Sequence, residues 1–358
     1  MRVASPGTTR GSGSTGGSRT SEVRLLVAGG AGFIGSEFVR HTLSSHPDDS
    51  VVVLDKLTYA GNLRNLDPVA ASSRFRFVHG DICDARTVET LAGEADAIVN
   101  FAAESHVDRS LEAPGQFIQT DVYGTFVLLD AARRIGHSRF LQVSTDEVYG
   151  DVTEGRSAEG DPLRPRSPYS ASKAGGEMMA WAYRESYGVP VITTRGSNTY
   201  GPYQYPEKII PLFITNALDD QPLPIYGDGN AVRDYLYVTD HARGIDTALR
   251  LGTPGEDYNI GYGGETNGHE VADLVLGALG KPDSLKQHVR DRLGHDRRYA
   301  VDTRKLEGLG WEPDVPLADG IKQTVEWYRQ NQEWWRPLKS GEFWEFYSRN
   351  YKPLSPPP

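Results

Sequence analysis

Three short stretches carry side chains whose type and spacing could do chemistry. In "STDEVYG" (144–150) two carboxyls, Asp146 and Glu147, stand side by side where the apolar run "RFLQV" gives out. On an exposed loop such a pair is simply solvated. At the end of a buried strand it can divide acid and base work, because burial raises a carboxyl pKa and an adjacent negative charge raises it further. In "YSASK" Tyr169 and Lys173 are four residues apart, on one face of a helix. A nearby ammonium and the positive charge of a hydride acceptor such as a nicotinamide both stabilise phenolate, lowering a tyrosine pKa from about 10 toward the working range. Such a tyrosine could take a proton from a hydroxyl while hydride leaves the same carbon. In "GGAGFIG" Gly29, Gly32 and Gly35 let the backbone turn tightly and approach a pyrophosphate lying on a helix N-terminus.

Asp55 follows about 20 residues on, at the end of a second apolar run, where a carboxylate can accept hydrogen bonds from an adenosine ribose. A 2′-phosphate would be repelled there, so NAD is favoured over NADP, although Lys56 is the next residue. Asp81, after the third run, could meet an adenine edge or simply form a turn.

These residues need elements to position them. "VRLLVAG", "VVVLD", "RFRFVHG", "DAIVNFAA", "RFLQVST" and "VPVITTRG" read as strands. Helical patterns fit about Ile34 to Ser45, Ala85 to Ala92, Gln116 to Ile135 and Tyr169 to Tyr187. Strands alternating with helices predict an α/β fold, a Rossmann-type doubly wound parallel sheet. After Gly196, Pro- and Gly-rich loops separate shorter elements down to a helix near Leu317 to Trp335. The expected organisation is a nucleotide-binding domain over 23–196, with part of 230–262 returning to it. A smaller mixed α/β substrate domain follows over 197–350. Residues 1–22, rich in Gly, Ser and Thr, read as a flexible tail without the apolar core of a signal peptide, and 351–358 as a frayed end.

Composition narrows the function classes. A chain of 358 residues suggests about two domains. A formal net charge of -10 argues against a general nucleic-acid or acidic-membrane binder. No apolar run approaches the roughly 18 residues of a membrane span. Cys83 is the single cysteine, which rules out a disulfide framework and fits a reducing cytoplasm. The nine histidines show no metal-ligand spacing, so no metal site is expected.

Taken together, "GGAGFIGS", "DKLTYAGNL", "GDICD", "AAESHVDRS", "STDEVYG", "YSASK", "SNTYGPYQYPEKIIP", "PIYGDG" and "GHDRRYAVD" resemble the extended short-chain dehydrogenase/reductases. Within them they resemble the dTDP-glucose 4,6-dehydratase family, from about Val23 to "TVEWYRQNQEWWRPLK". The Thr145-Asp146-Glu147 triplet discriminates most, since related epimerases and decarboxylases typically carry a small residue in place of Asp146. The resemblance implies that Tyr169, with Lys173, deprotonates a sugar 4-hydroxyl, that Glu147 takes the C5 proton, and that Asp146 protonates the departing 6-hydroxyl. Thr145 would align the C4 oxygen.

By the same resemblance, NAD would lie against Gly29, Gly32, Phe33, Ile34, Gly35, Asp55, Lys56, Leu57, Thr58, Asp81, Ile82, Ala102, Ala103, Ser105, Thr120, Tyr169, Lys173 and Thr199. Ser105 and His106 would face the sugar or phosphates, and Asn198, Lys208 and Ile209 the nucleotide-sugar. Pro224, Ile225 and Tyr226 would flank the base. Arg233, Asn267, Asp291, Arg292 and His295 would hold the diphosphate and ribose. A homodimer joined through the helices at Gln116–Ile135 and Tyr169–Tyr187 is also implied. Three features depart from the family pattern: Leu293 stands where Pro is usual, "GYGGETNGHE" is not a clean match, and Asp121 stands where Asn is commoner. Two alternatives stay open, another nucleotide-sugar dehydratase or 4-epimerase on this scaffold, and a non-catalytic NAD-binding regulator.

Overall fold

Short apolar runs such as "RLLVA" and "AIVN" have no polar face to turn to solvent, and each becomes an interior strand of a parallel sheet. A computed structural model describes residues 22–291 and 294–353 of the chain. Its main sheet contains β1 (Arg24–Ala28), β2 (Ser50–Asp55), β3 (Phe75–His79), β4 (Ala97–Asn100), β5 (Arg139–Thr145) and β6 (Val191–Gly196). A seventh strand, Asp257–Ile260, comes from much later in the chain. The order is Asp257–Ile260, β6, β5, β4, β1, β2, β3, with every pairing parallel. All carboxyl ends therefore open on one edge, where ligands of such sheets bind. In register, Thr145 at the end of β5 lies opposite Gly196 at the end of β6.

Alternate side chains of these strands enter two separate cores. Leu25 and Val27 of β1 join Val51 and Val53 of β2 beneath helix α1 (Phe33–Ser45) and the helix Val238–Leu251. Leu26 and Ala28 face the opposite side. There they meet Leu54, Val88 of α2 (Ala85–Ala92) and Leu128, and Ala180 and Tyr183 of a long helix described below. Two-sided burial explains why the strands read as continuous apolar runs and not as alternating ones.

Two helices differ from the sequence expectation. The segment expected as one helix over Gln116–Ile135 follows α3 (Val107–Glu112) and runs as α4 (Pro114–Phe117), a π-helical stretch Ile118–Gly124, and α5 (Thr125–Ile135). The wide turn brings Asp121 into the interior and Gly124 against Ile82, where a Cβ would lie 2.4 Å from the Ile82 side chain. Near the C-terminus the helix is Leu317–Gln330, and a separate turn Gln332–Trp335 follows. The break lets both tryptophans turn inward, with Trp334 Nε1 donating to Asn65 Oδ1 at 3.0 Å and Trp335 Nε1 to the Tyr328 carbonyl at 2.8 Å.

Beyond Gly196 the chain builds a third core from Phe213, Val271, Ile321, Tyr328 and Trp335. Small two-stranded pairings such as Leu223–Tyr226 with Lys286–Val289 cover it. This region stands over the carboxyl edge of the main sheet.

Helix α6 (Pro168–Tyr187) starts where Ser167 and Ser170 form a reciprocal cap and Pro168 occupies the first turn. A buried ion pair ties it to the sheet: Arg195 of β6 donates to Glu177 Oε2 from both Nε (3.0 Å) and Nη2 (2.8 Å). The same guanidinium donates to the Tyr149 hydroxyl at 2.7 Å, which donates to Asn259 Oδ1 at 2.8 Å. Removing one partner of such a pair leaves a buried charge uncompensated, at a cost of about 3–5 kcal/mol. Glu177→Ala is accordingly expected to lower unfolding stability by about 3 kcal/mol in urea titration. A change below about 0.5 kcal/mol would show that Arg195 is balanced by its other partners alone.

Candidate active site

Strand β5 ends in Thr145, and Asp146–Tyr149 then form a single 3₁₀ turn. The Thr145 hydroxyl caps it, accepting from the Glu147 N–H at 3.3 Å and donating to Asp146 Oδ1 at 3.2 Å. Gly150 closes the turn at φ 76°, where an added Cβ would lie 2.3 Å from the Arg164 carbonyl oxygen, so only glycine fits. The acids that share this turn differ in environment. Asp146 is buried, and its Oδ2 has no hydrogen-bond partner among the described residues. Burial, then the neighbouring charges of Glu147 and Asp234, drive its pKa well above the ordinary carboxyl range. Asp146 is thus driven toward its neutral form, while Glu147 is only partly buried.

Tyr169 and Lys173 lie on the first turns of α6, facing this pair. Lys173 is buried and its Nζ donates to the Val143 carbonyl at 2.8 Å. Burial pushes its pKa down, against the pull of Asp121 and Glu177. The expected lowering of the Tyr169 pKa joins Lys173 to the positive charge of a nicotinamide, and the protein alone supplies only the first. Burial, followed by the charges of Glu147, Asp121 and Asp146, drives the phenol well above its usual value. Burial is the largest cause of the rise, so the phenolate awaits the further positive charge that the sequence reading joins to Lys173.

The glycine-rich turn is suited to a dinucleotide. Gly29 has φ 75°, and a Cβ on Gly35 would lie 2.4 Å from the Gly29 carbonyl oxygen. Gly32 is the N-cap of α1 without a side-chain cap, which leaves the helix's first N–H groups for an anion. Asp55 does more than the sequence suggested. Its Oδ2 accepts from the Ala31 N–H (2.9 Å) and its Oδ1 from the Leu57 N–H (2.8 Å), so it also fixes the glycine-rich turn. Lys56 pairs with Asp81 at 2.7 Å, which removes its charge from competition beside Asp55.

A cavity of about 420 Å³ runs from this turn, past Thr120, Thr145, Asp146, Glu147, Tyr169 and Lys173, to the region beyond Gly196. Phe33, Ile34, Thr58, Ile82, Ala102, Ala103, Ser105 and His106 line it on the sheet side. Asn198, Thr199, Lys208, Ile209, Pro224, Ile225, Tyr226, Arg233 and His295 line the opposite wall. Arg233 is aimed by two carbonyls, donating to Val232 O at 2.8 Å and Asp296 O at 2.9 Å, and its guanidinium lies over the Tyr299 ring.

Three expected contacts are not on the cavity wall. Leu57, at φ 53°, shapes the loop through its bond to Asp55. The Asn267 carboxamide caps the helix Gly268–Leu279, accepting from the His269 and Glu270 N–H groups at 3.0 Å each. Asp291 Oδ1 pairs with His295 Nδ1 at 2.7 Å, so it reaches the cavity only through that ring. Arg292 lies outside the described residues.

Sequence reasoning missed Tyr59, Glu104 and Glu207, all on the wall. Arg109 links two of them, donating to Glu207 Oε2 at 3.0 Å while its guanidinium lies 3.7 Å from the centre of the Tyr59 ring. Glu104 and Glu207 sit beside Ser105 and Lys208, and their charge in otherwise apolar loops was the available signal. Elsewhere, His41, His46 and Asp246 bring three possible metal ligands within 4.8 Å. Arg250 already donates to Asp246 Oδ1 at 2.7 Å and His46 lies 2.9 Å from Oδ2, so the group reads as a satisfied ionic cluster.

Residues 26–324 match the family model described as GDP-mannose 4,6 dehydratase. A dTDP-glucose 4,6-dehydratase of Actinoplanes sp. is 52% identical over 319 residues, covering 87% of this chain and all of the relative. Among solved structures, DesIV, a dTDP-glucose 4,6-dehydratase from Streptomyces venezuelae with NAD bound, is 53% identical with a TM-score of 0.87. That alignment covers 88% of this chain and 100% of DesIV. A UDP-glucose 4-epimerase from Thermus thermophilus shares the fold at 34% identity and TM-score 0.80, over 86% and 99% of the two chains. With its paired acids set against Tyr169 and Lys173, the chain belongs to the dTDP-glucose 4,6-dehydratase family of extended short-chain dehydrogenase/reductases.

Proposed function

We propose that this protein converts dTDP-glucose to dTDP-4-keto-6-deoxyglucose, a step that feeds deoxysugar biosynthesis. The observation that carries this reading is the turn Asp146–Tyr149, which sets a carboxyl driven toward its neutral form beside a second acid, opposite Tyr169. An epimerase needs only the Tyr–Lys pair, and the two acids would then be idle.

NAD, held by Gly29, Gly32, Gly35 and Asp55 with α1 beneath its pyrophosphate, supplies the redox chemistry by taking hydride from C4 and returning it to C6. Tyr169 accepts the proton of the 4-hydroxyl. The resulting ketone acidifies the C5 proton, which Glu147 removes and gives back to C5 once hydride has returned to C6. Asp146 gives its proton to the departing 6-hydroxyl as water leaves. Adjacency lets one proton serve the pair, since ionising Glu147 strengthens the hold of Asp146 on its own. Arg233, Lys208, Asn198 and His295 hold the nucleotide-sugar, and Tyr226 with Pro224 flanks the base. Arginine suits the diphosphate because its planar fork donates two parallel hydrogen bonds.

A homodimer and a cytoplasmic location complete the proposal. Ile118, Tyr123, Met178, Trp181 and Tyr187, on the π-helical stretch and α6, are large apolar side chains exposed at 45% or more, a patch that a second copy would cover.

Three outcomes are expected. With dTDP-glucose, alkali treatment should reveal the absorbing 4-keto-6-deoxy product, with UDP-glucose and GDP-mannose turned over far more slowly. NADH should not accumulate; its build-up in proportion to product would refute the cycle. Second, Asp146→Asn should slow dehydration by about 10²–10⁴-fold while C5 hydrogen exchange in recovered substrate survives, whereas Glu147→Gln should suppress both. Rapid-quench assay with deuterium incorporation reads the split, and dehydration by Asp146→Asn at the wild-type rate would remove the division of labour. Third, light scattering at micromolar concentration should give the mass of two chains, and Trp181→Glu that of one.

A further inference from the structure

Helix α3 (Val107–Glu112) follows β4 on the sheet side, yet two of its side chains reach the opposite wall of the cavity. Asp108 is buried and accepts from the Tyr226 hydroxyl at 3.2 Å, with His106 Nδ1 3.5 Å from the same carboxyl oxygen. The next residue, Arg109, donates from Nε to Glu207 Oε2 at 3.0 Å. Its guanidinium carbon lies 3.7 Å from the centre of the Tyr59 ring and 4.8 Å from that of Phe346, and ring faces attract such a cation. Tyr59 is itself fixed. Its hydroxyl donates to the Ser105 carbonyl at 2.7 Å, and its ring meets that of Tyr205 nearly at right angles, centres 5.4 Å apart. A second pairing of Arg109, with the exposed Glu342 at 3.7 Å, counts for little.

These contacts join stretches of wall that the proposed function gives to different ligands. Tyr59 lies on the side of NAD, where it continues the wall from Asp55 and Thr58. Tyr226 flanks the base, and Glu207 directly precedes Lys208 on the nucleotide-sugar side. Phe346 belongs to the helix Gly341–Asn350, which packs with Leu212, Val289 and Tyr226 behind that wall. The Arg109–Glu207 pair is not a solvated surface contact, since the Glu207 side chain is 1% exposed and that of Arg109 19%.

We propose that Asp108 and Arg109 are positioning residues that couple the two walls, so that a nucleoside diphosphate seated on one side tightens the hold on NAD on the other. The inference rests on the reading of this cavity as one shared by NAD and a dTDP-sugar. A ligand that packs on Tyr226 and orders the chain around Glu207 restrains Asp108 and Arg109 through their bonds to those two residues. Through the Arg109 guanidinium the restraint passes to the Tyr59 ring. NAD then meets a wall that is already ordered and gives up less freedom on binding. Coupling of this kind is reciprocal, so NAD equally favours the nucleotide. Without Asp108 and Arg109 these stretches of wall would answer separately to their own ligands.

The test follows exchange of bound NAD for labelled NAD in solution, without dTDP and with dTDP at a concentration shown by calorimetry to saturate each protein. dTDP carries no hexose to lie on the nicotinamide. In the wild type it is expected to slow exchange by about 5-fold or more, the lower end of ordinary coupling between sites. Arg109→Met combined with Glu207→Gln removes the ion pair without stranding a buried charge, and Tyr226→Phe deletes only the hydroxyl that reaches Asp108. Each should reduce the slowing, and all three substitutions together should leave it within about 2-fold of none. General loosening of the fold, or a dTDP molecule that merely blocks the exit, would leave the ratio of the two exchange rates at its wild-type value. An unchanged ratio therefore overturns the proposal. If the variant lacking the ion pair does not fold, Tyr226→Phe decides alone, a reduced ratio supporting the coupling and an unchanged one refuting it. The two levels also separate. Wild-type protein that binds no dTDP overturns the nucleotide reading and the coupling with it, whereas dTDP that binds without slowing exchange overturns the coupling alone.

Discussion

The gathering of Asp146, Glu147, Tyr169 and Lys173 at the carboxyl edge of β5 is the constraint on which the rest of this molecule depends. In water, Asp146, Glu147 and Tyr169 would titrate near their ordinary values and do nothing together. With Asp146 buried and Glu147 and Tyr169 partly so, they become coupled: the charge of Glu147 raises the proton affinity of both Asp146 and Tyr169. The surrounding architecture buries Asp146 and Lys173 and fixes the elements that carry these groups. Arg195 does much of this at a distance, binding Glu177 of the helix that carries Tyr169 and Tyr149 of the turn that carries the acids.

Coupling also explains why the site is assembled from both halves of the chain. The sheet side supplies the acids, the phenol and the glycine-rich turn, which are rigid because they sit at strand ends and on a capped helix. The region beyond Gly196 supplies longer polar groups, Lys208, Arg233 and His295, that close the opposite wall. Rigid elements suit proton transfer, where small displacements matter, and loops suit recognition of an elongated ligand.

Much of this was legible in the sequence. The strands were visible because two-sided burial leaves unbroken apolar runs, and Ala85–Ala92 was visible because its pattern is strongly amphipathic. The chemistry was visible in local triplets and i,i+4 pairs, since short spacings need no tertiary knowledge. The π-helical stretch was not visible, because its cause lies in Asp121 and Gly124 meeting residues far away in sequence. The capping role of Asn267 was hidden for a related reason: a capping asparagine and a ligand-binding one look alike until the helix behind them is seen. The raised proton affinity of Tyr169 was equally hidden, being set first by burial and then by acids that the sequence does not place in space.

The strand Asp257–Ile260 has a consequence for how the molecule comes into being. It completes the sheet at the β6 edge, and the preceding helix Val238–Leu251 covers α1 with Ala242, Ile245 and Leu249. During synthesis, the first two hundred residues emerge with that edge unpaired and that apolar face uncovered. Closure waits for about sixty more residues, which include much of the opposite cavity wall. The nascent amino-terminal half is therefore an adhesive intermediate, and the protein's yield in a cell depends on how quickly the ribosome and its chaperones deliver the returning strand.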